Sequence, residues 1–426
     1  MSKTYEIRCP IHGFIELDEW EMEMVNHPAF QRLRRIRQLG LSELVYPGTT
    51  HTRFEHSLGV MHVGTRMFDQ ICKKHQEGFL KSDLKFNIDD LNRDRKIVRL
   101  ACLLHDIGHS PFSHAGEKIM PKNKSGKYYR HENYSCAIIQ YKFNEIIDGR
   151  HDGITADDVA EMVEGDVVSL GKKRLWHNIV SSQLDADRAD YLLRDSYHAG
   201  VAYGHYDLER IIATLTVGYG GDGDDKGTPV IAIDKSGEHV AEALVIARYM
   251  MFWQVYFQKT RRICDYHATE ALKLLLEEND HFPDNVFLPP TSKENVDEYL
   301  KWDDYRVFGG MHAGKCGRHR DSIFDRKLDK CVFEASGYHG SSDPVFFGRI
   351  QEKFKEKISY IDEPHFNWYK SKGDIPIFWK DEVFPLSTLS QIIPALKDSE
   401  PRRLYAPEES SKEIKQEIEK MKTGVS

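Results

Sequence analysis

The sequence predicts a mainly α-helical protein with a small β-hairpin and a mixed α/β C-terminal region, and three observations carry that prediction. Apolar residues recur at helical spacing through most of the chain up to about residue 280. A glycine-rich stretch, Gly218 to Gly227, separates two short apolar runs of strand character. Past Pro283, Pro289 and Pro290, helical patterns alternate with aromatic, strand-like pieces.

Taken in order, the run Phe30 to Ile36 has helical spacing, with Arg32, Arg34, Arg35 and Arg37 placed as its solvated face. Leu58 to Ile71 and Ile97 to Leu104 read as the buried faces of two further helices. Pro111 and the stretch Pro121 to Gly126 break the pattern, so 108–130 reads as a loop over the end of the preceding helix, with His131 opening the next one. Thr214 to Val217 and Val230 to Ile233 form the expected hairpin. A long helical pattern runs from Glu238 to Glu277, and the prolines after it mark a weak boundary. This divides the chain into a core, 1–285, and a region, 286–426, packed on it and involved in oligomerisation. Ile375 to Trp379 reads as a strand, and the polar tail Glu408 to Lys422 as a solvated helix or disordered chain.

Lys plus Arg number 59 against 67 Asp plus Glu, a net charge of −8, which argues against a surface devoted to duplex nucleic acid. The seven cysteines are dispersed, odd in number and free of Cys-x-x-Cys pairs, so neither a disulfide framework nor a thiolate zinc site is indicated. Lys3, Glu6 and Arg8 stand where the apolar core of a signal peptide belongs, and no apolar run approaches the roughly 20 residues that span a bilayer. The expected setting is cytoplasmic, with no membrane partner.

Three short stretches hold the chemistry: His51 to His56, Leu104 to His109, and Asp185 to Tyr191. Each sets imidazoles or carboxylates into helix, where buried polar groups need partners. His56, His105, Asp106 and Asp187 offer two neutral nitrogens and two anionic oxygens, a donor set suited to Mn, Fe, Ni or Zn rather than Ca. A single His or Asp in an apolar helix is more often a satisfied core residue; four together point to a divalent metal. On a regular helix His105 and Asp106 diverge by about 100°, so both reach one ion only at a helix end, which Gly108 supplies.

Together with Pro10 to Gly13, Phe30 to Gly40, Pro47 to Val60, His105 to His114 and Asp190 to His198, these stretches resemble the HD-domain deoxynucleoside triphosphate triphosphohydrolases over about residues 5 to 270. The resemblance implies an all-helical HD core that forms dimers or tetramers and hydrolyses a dNTP to deoxynucleoside plus inorganic triphosphate. It places the metal on His56, His105, Asp106 and Asp187, with Mg accompanying the substrate phosphates as a further option. Acid–base chemistry falls on His109, His114, His131 and Glu117, the last being Asp in the vertebrate member. Arg53, Arg188, Tyr191, Arg248 and Lys259 fall where relatives hold the triphosphate; Gln38, Leu39, Asp195 and Tyr256 fall around the sugar. The vertebrate member's guanine-reading Lys and Asp correspond to Tyr5 and Asn26, while its Gln and Arg persist as Gln31 and Arg34, so activation by an allosteric guanine nucleotide is predicted to be weak or absent. Three alternatives stay open: another HD phosphohydrolase acting on a nucleoside monophosphate, cyclic dinucleotide or guanosine polyphosphate, a nucleic-acid-binding protein, and a catalytically silent nucleotide sensor.

Overall fold

The computed structural model describes residues 3–150, 153–165, 167–220, 227–279, 281–335, 344–363, 369, 373–396 and 401–423. At its centre the helices Arg53–His75 and Ile88–Leu104 pack against one another. Each begins on a reciprocal cap, Thr52 with Glu55 and Asn87 with Asp90, so N–H groups that the helix leaves unpaired find acceptors within one turn. Their predicted apolar faces are buried, Leu58, Val60, Met61, Val98, Leu100 and Leu103 among them. The helix Ala186–Ala199, capped by Asp185 and ended by Gly200 at φ 69°, packs on Arg53–His75. Gly59 permits that approach, because a Cβ there would stand 2.0 Å from Asp190 Oδ1.

The expected hairpin extends over Leu215–Gly220 and Thr228–Asp234, paired antiparallel with Leu215 opposite Ile233; the turn 221–226 lies outside the described residues. It grows into a four-stranded sheet through Pro376–Trp379, parallel to the second strand, and Glu382–Pro385. The strand read at Ile375 to Trp379 is therefore present, and it returns to the hairpin from far along the chain. An N-terminal hairpin, Tyr5–Cys9 with Gly13–Leu17, was not foreseen, although its burial alternates with period two around the positive φ of Gly13.

Phe30 to Ile36 departs from its reading. A short helix, Pro28–Gln31, gives way to a 3-10 turn, Arg32–Arg35, so the arginines do not share a solvated face. Arg32 is buried and donates to the carbonyls of Trp302 and His109, both at 2.8 Å; Arg35 reaches Asp303 Oδ2 at 2.5 Å and Arg37 reaches Glu43 Oε2 at 3.0 Å. The acceptors that redirect them are remote in sequence. The pattern from Glu238 to Glu277 likewise splits into Glu238–Met251 and Lys259–Glu277, the second capped by Gln258, which accepts from the Arg261 N–H.

The 108–130 segment is largely irregular, with one 3-10 stretch at Ser113–Ile119, and His131 does open the helix His131–Ile138. Phe112 and Ser113 both take φ 57°, a strained pair for residues with side chains. Asp304 holds the bend by accepting from the Phe112 N–H at 2.7 Å and from the Arg37 N–H at 2.9 Å.

Beyond Pro283, a second apolar cluster joins Leu41, Phe112, Tyr134 and Leu272 to Tyr299, Val307 and Met311. A third lies where Lys330–Ala335, Tyr360–Asp362 and Arg402–Ala406 form a sheet under the tail helix Glu408–Thr423, which buries Ile414 and Ile418. All seven cysteines are free thiols. Among the described residues no helix is long and apolar enough to cross a membrane.

Candidate metal centre and adjoining cavity

His56 stands in the first turn of Arg53–His75, His105 caps the end of Ile88–Leu104 with Asp106 beside it, and Asp187 lies in the first turn of Ala186–Ala199. Gly108 lets this corner close: a Cβ would meet the His131 carbonyl oxygen at 2.3 Å. The four side chains converge. His56 Nε2 lies 2.9 Å from Asp187 Oδ1 and 3.4 Å from Asp106 Oδ2, and His105 Nε2 lies 3.3 Å from Asp106 Oδ1 and 3.7 Å from Asp187 Oδ1.

The far sides of both rings are committed. His56 Nδ1 donates to Asp190 Oδ2 at 2.7 Å and His105 Nδ1 to the Cys102 carbonyl at 2.8 Å, which turns both Nε2 lone pairs toward the carboxylates. Neither Nε2 makes a hydrogen bond, and both are buried. Burial alone would lower the His56 pKa, yet Asp187, Asp190 and Asp106 push it up to about 10. An imidazole held among carboxylates, with an orphaned inward nitrogen, fits a divalent cation at this point; His56, His105 and Asp106 also bring ligand atoms within 4.8 Å of one another.

Asp190 was missed by the sequence reading. It is fully buried and also accepts from His12 Nε2 at 2.6 Å and from Arg194 Nε and Nη2, both at 2.8 Å. Its position one turn beyond Asp187 was a signal; His12, 178 residues away, gave none.

The centre opens on a cavity of about 1800 Å³ lined by Gln38, Leu39, Arg53, Asp106, His109, His114, Glu117, His131, Asp187, Arg188, Tyr191, Asp195, Arg248 and Tyr256. Arg53 pairs with Asp106 and donates from Nε to Ser113 Oγ at 2.9 Å. Arg188 pairs with its own cap residue Asp185, and Arg248 Nη1 donates to Gln183 Oε1 at 2.8 Å. Tyr256 O–H donates to Asp195 Oδ2 at 2.8 Å while His51 Nε2 stands 2.8 Å from Asp195 Oδ1, and the rings of Tyr191 and Tyr256 lie 6.2 Å apart. Lys259 is not brought here. It is exposed at its helix start and outside the lining, where Lys118, Arg174, Arg261 and Arg262 stand instead. Those four gave no motif signal.

Glu117 gathers three imidazoles. His131 Nδ1 lies 2.5 Å from Oε1, His114 Nδ1 3.1 Å from Oε2 and His109 Nδ1 3.7 Å from Oε1, while the rings of His109 and His131 stack at 3.8 Å. Burial lowers His131, but Glu132 and Glu117 more than reverse that and push it up to about 9. Burial, with Arg53 and His131 nearby, holds His109 well below the usual imidazole range and therefore neutral at cellular pH.

A mainly helical core that turns two His and two Asp inward beside a polar cavity is the arrangement of an HD-type fold with a candidate metal centre. A profile of the HD domain matches residues 53–195. The uncharacterized protein MJ1154 of Methanocaldococcus jannaschii is 37% identical over 96% of this chain and 81% of its own length. A crystal structure of a hypothetical protein from Aquifex aeolicus superposes with TM-score 0.77 at 30% identity, covering 98% of this chain and 100% of that one. The deoxynucleoside triphosphate triphosphohydrolase SAMHD1 of Gallus gallus is 26% identical over 72% of this chain but only 51% of its own length. The chain carries an HD domain and belongs to one family with MJ1154 and the Aquifex aeolicus protein.

Proposed function

We propose that the protein hydrolyses deoxynucleoside triphosphates to deoxynucleoside and inorganic triphosphate, with the dNTP and further copies of the chain as its partners. The observation that carries this reading is one cavity lined together by Asp106 and Asp187 of the candidate centre, by Arg53, Arg188 and Arg248, and by Tyr191, Asp195 and Tyr256. A divalent cation held by His56, His105, Asp106 and Asp187 would acidify a water molecule and draw charge from a phosphoryl oxygen. The likeness to SAMHD1, which covers part of that protein, supports the choice of substrate.

The chain's own residues supply the rest. Arg188 and Arg248 sit where a triphosphate of about four negative charges needs preorganised donors, since reorienting them during reaction would cost rate. Water adds to the α-phosphorus as its bond to the 5′ oxygen breaks, and that oxygen takes a proton. His114, with a side chain 62% exposed and Nδ1 on Glu117, is placed to give it; neutral His109 is placed to accept one from the water. Asp195, held by His51 and Tyr256, presents a carboxylate for the 3′-hydroxyl, and Tyr191 fills the space where a 2′-hydroxyl would stand.

The test is product analysis: metal-loaded protein is incubated with each dNTP and the products are separated by ion exchange. Intact triphosphate with deoxynucleoside is the expected outcome. Pyrophosphate with monophosphate, or turnover only of monophosphates or cyclic dinucleotides, would reject the reading.

A further inference from the structure

We propose that Asp304, from the region beyond Pro283, is a positioning residue for the site: its carboxylate staples two segments of the cavity wall together and so sets the guanidinium that Arg53 turns to Asp106. Asp304 opens the helix Asp304–His312, is fully buried and stands behind the cavity lining rather than in it. Its Oδ1 accepts from the Phe112 N–H at 2.7 Å and its Oδ2 from the Arg37 N–H at 2.9 Å. One side chain thus bridges two stretches that are remote from each other in sequence. Both carry cavity residues: Gln38 and Leu39 follow Arg37, and His114 follows the Phe112 and Ser113 turn.

The two stretches also meet directly. Gly40, at φ 53°, lies so near the turn that a Cβ would stand 3.1 Å from the Phe112 carbonyl oxygen. The Ser113 hydroxyl gives its one proton to the Arg37 carbonyl at 2.6 Å, which leaves its lone pairs for Arg53 Nε at 2.9 Å. Arg53 then pairs through Nη1 with Asp106. The turn does not hold itself: Phe112 and Ser113 both take φ 57°, a conformation that side chains disfavour and that surrounding contacts must impose. Ser110 closes it from within, donating to the Ser113 carbonyl at 2.9 Å, and Asp304 anchors it from outside.

The influence therefore runs from Asp304 to the turn, from the turn to Ser113, and through Arg53 to Asp106. That Arg53 also meets a substrate phosphate rests on the function proposed above; the staple and its effect on Asp106 do not.

Asp304→Asn keeps the shape of the side chain but leaves one acceptor, with its amide facing the other N–H donor to donor. Burial pushes the Asp304 carboxyl up to about 7, so an uncharged side chain is tolerated here and the variant should fold. Calorimetric titration of the full chain with Mn(II) alone should show affinity about tenfold weaker in Asp304→Asn and in Arg53→Lys. The double variant should be no more than about threefold weaker than either, because both changes act through one contact. Asp303→Ala strips the cap from the same helix and the partner from Arg35, so it should lower the urea midpoint yet bind Mn(II) within about twofold of the parent. Ser113→Ala tests the link from the other end with Asp304 intact, and should also weaken Mn(II) about tenfold. At saturating Mn(II), KM for dNTP should rise about tenfold in Asp304→Asn while kcat falls less than about threefold. A crystal structure of metal-free Asp304→Asn should show Ser113 Oγ out of hydrogen-bond reach of Arg53. Parental Mn(II) affinity in Asp304→Asn or Ser113→Ala overturns the proposal, as does an unchanged turn in that crystal structure, or a double variant about a hundredfold weaker than the parent, the result of independent effects. If no dNTP releases triphosphate, the substrate reading falls and the Mn(II) cycle still decides this one; triphosphate release with parental Mn(II) affinity in Asp304→Asn would do the reverse.

Discussion

Replacing Gly59 by alanine should destabilise the protein, against the ordinary sign of that substitution. Glycine within a helix costs about 0.5–1 kcal/mol relative to alanine, so a mid-helix change normally stabilises. Here the new Cβ would lie 2.0 Å from Asp190 Oδ1 and 2.4 Å from Arg194 Nη2, and both groups are fully buried. Asp190 must withdraw, and Oδ1 then gives up its contacts with His12 at 2.6 Å and Arg194 at 2.8 Å. Two hydrogen bonds to charged groups at about 1.5–3 kcal/mol each, less the helical gain, leave a net loss of roughly 2–5 kcal/mol. Because Asp190 also fixes His56 through Nδ1, metal affinity should fall about 10–100-fold. Urea unfolding followed by circular dichroism measures the first quantity and calorimetric titration with Mn(II) the second. Gly309, helical and with no atom within 4 Å of the place its Cβ would take, is the control, and Gly309→Ala should stabilise. If Gly59→Ala matches that control and binds metal as tightly as the parent, the packing argument fails.

Burial raises the Asp94 carboxyl to about 6 from an ordinary 3.8, despite Lys173, Arg93 and the Trp176 N–H. The folded state therefore binds this proton more tightly than the unfolded one, and stability falls as pH rises from about 4 to about 6. Asp94→Asn keeps an acceptor for Trp176 and lacks the ionisation, so its stability relative to the parent should improve by roughly 1.4 kcal/mol between pH 5 and 8 in urea melts; no change with pH would contradict this. Arg32→Ala leaves the buried carbonyls of Trp302 and His109 short of a donor and should cost about 2–6 kcal/mol, whereas Arg34→Ala, exposed and stacked on Phe54, should cost about 1 kcal/mol or less. Equal losses would restore the solvated-face reading. Tyr191→Ala should raise GTP relative to dGTP turnover about tenfold or more, measured as kcat/KM; equal loss for both sugars would remove Tyr191 from sugar selection.

The convergence of His56, His105, Asp106 and Asp187 was legible because residue type carries it: His and Asp in apolar helices have few uses, and a helix end after His105 could be read from Gly108. The partners that orient these side chains were not. His12, Asp190 and Arg194 meet across the fold, and nothing local to His12 marks it. The basic run at 32–37 was misread for a related reason. A helical wheel assumes one regular element, while the directions of Arg32 and Arg35 are set by carbonyls and by Asp303 some 270 residues on. The hairpin, the Ile375 to Trp379 strand and the long helical faces were visible as periodicities; the sheet that unites the first two depends on a chain return that no window contains.

Arg53 joins the two halves of the site, and its chemistry limits what may replace it. Its guanidinium gives Nε to Ser113 and Nη1 to Asp106, which leaves the N–H groups of Nη2 outside both contacts while the side chain still lines the cavity. A planar fork can therefore hold a metal ligand and a phosphate oxygen together. Lysine cannot: its three donors radiate from one atom, which would have to choose between Asp106 and the substrate. Arg53→Lys should accordingly weaken Mn(II) binding and raise the KM for dNTP in the same variant, each by about tenfold, one lost charged hydrogen bond apiece. A change in KM with metal affinity intact would mean that Arg53 serves the phosphate alone, and the Asp106 contact would then be incidental to the centre.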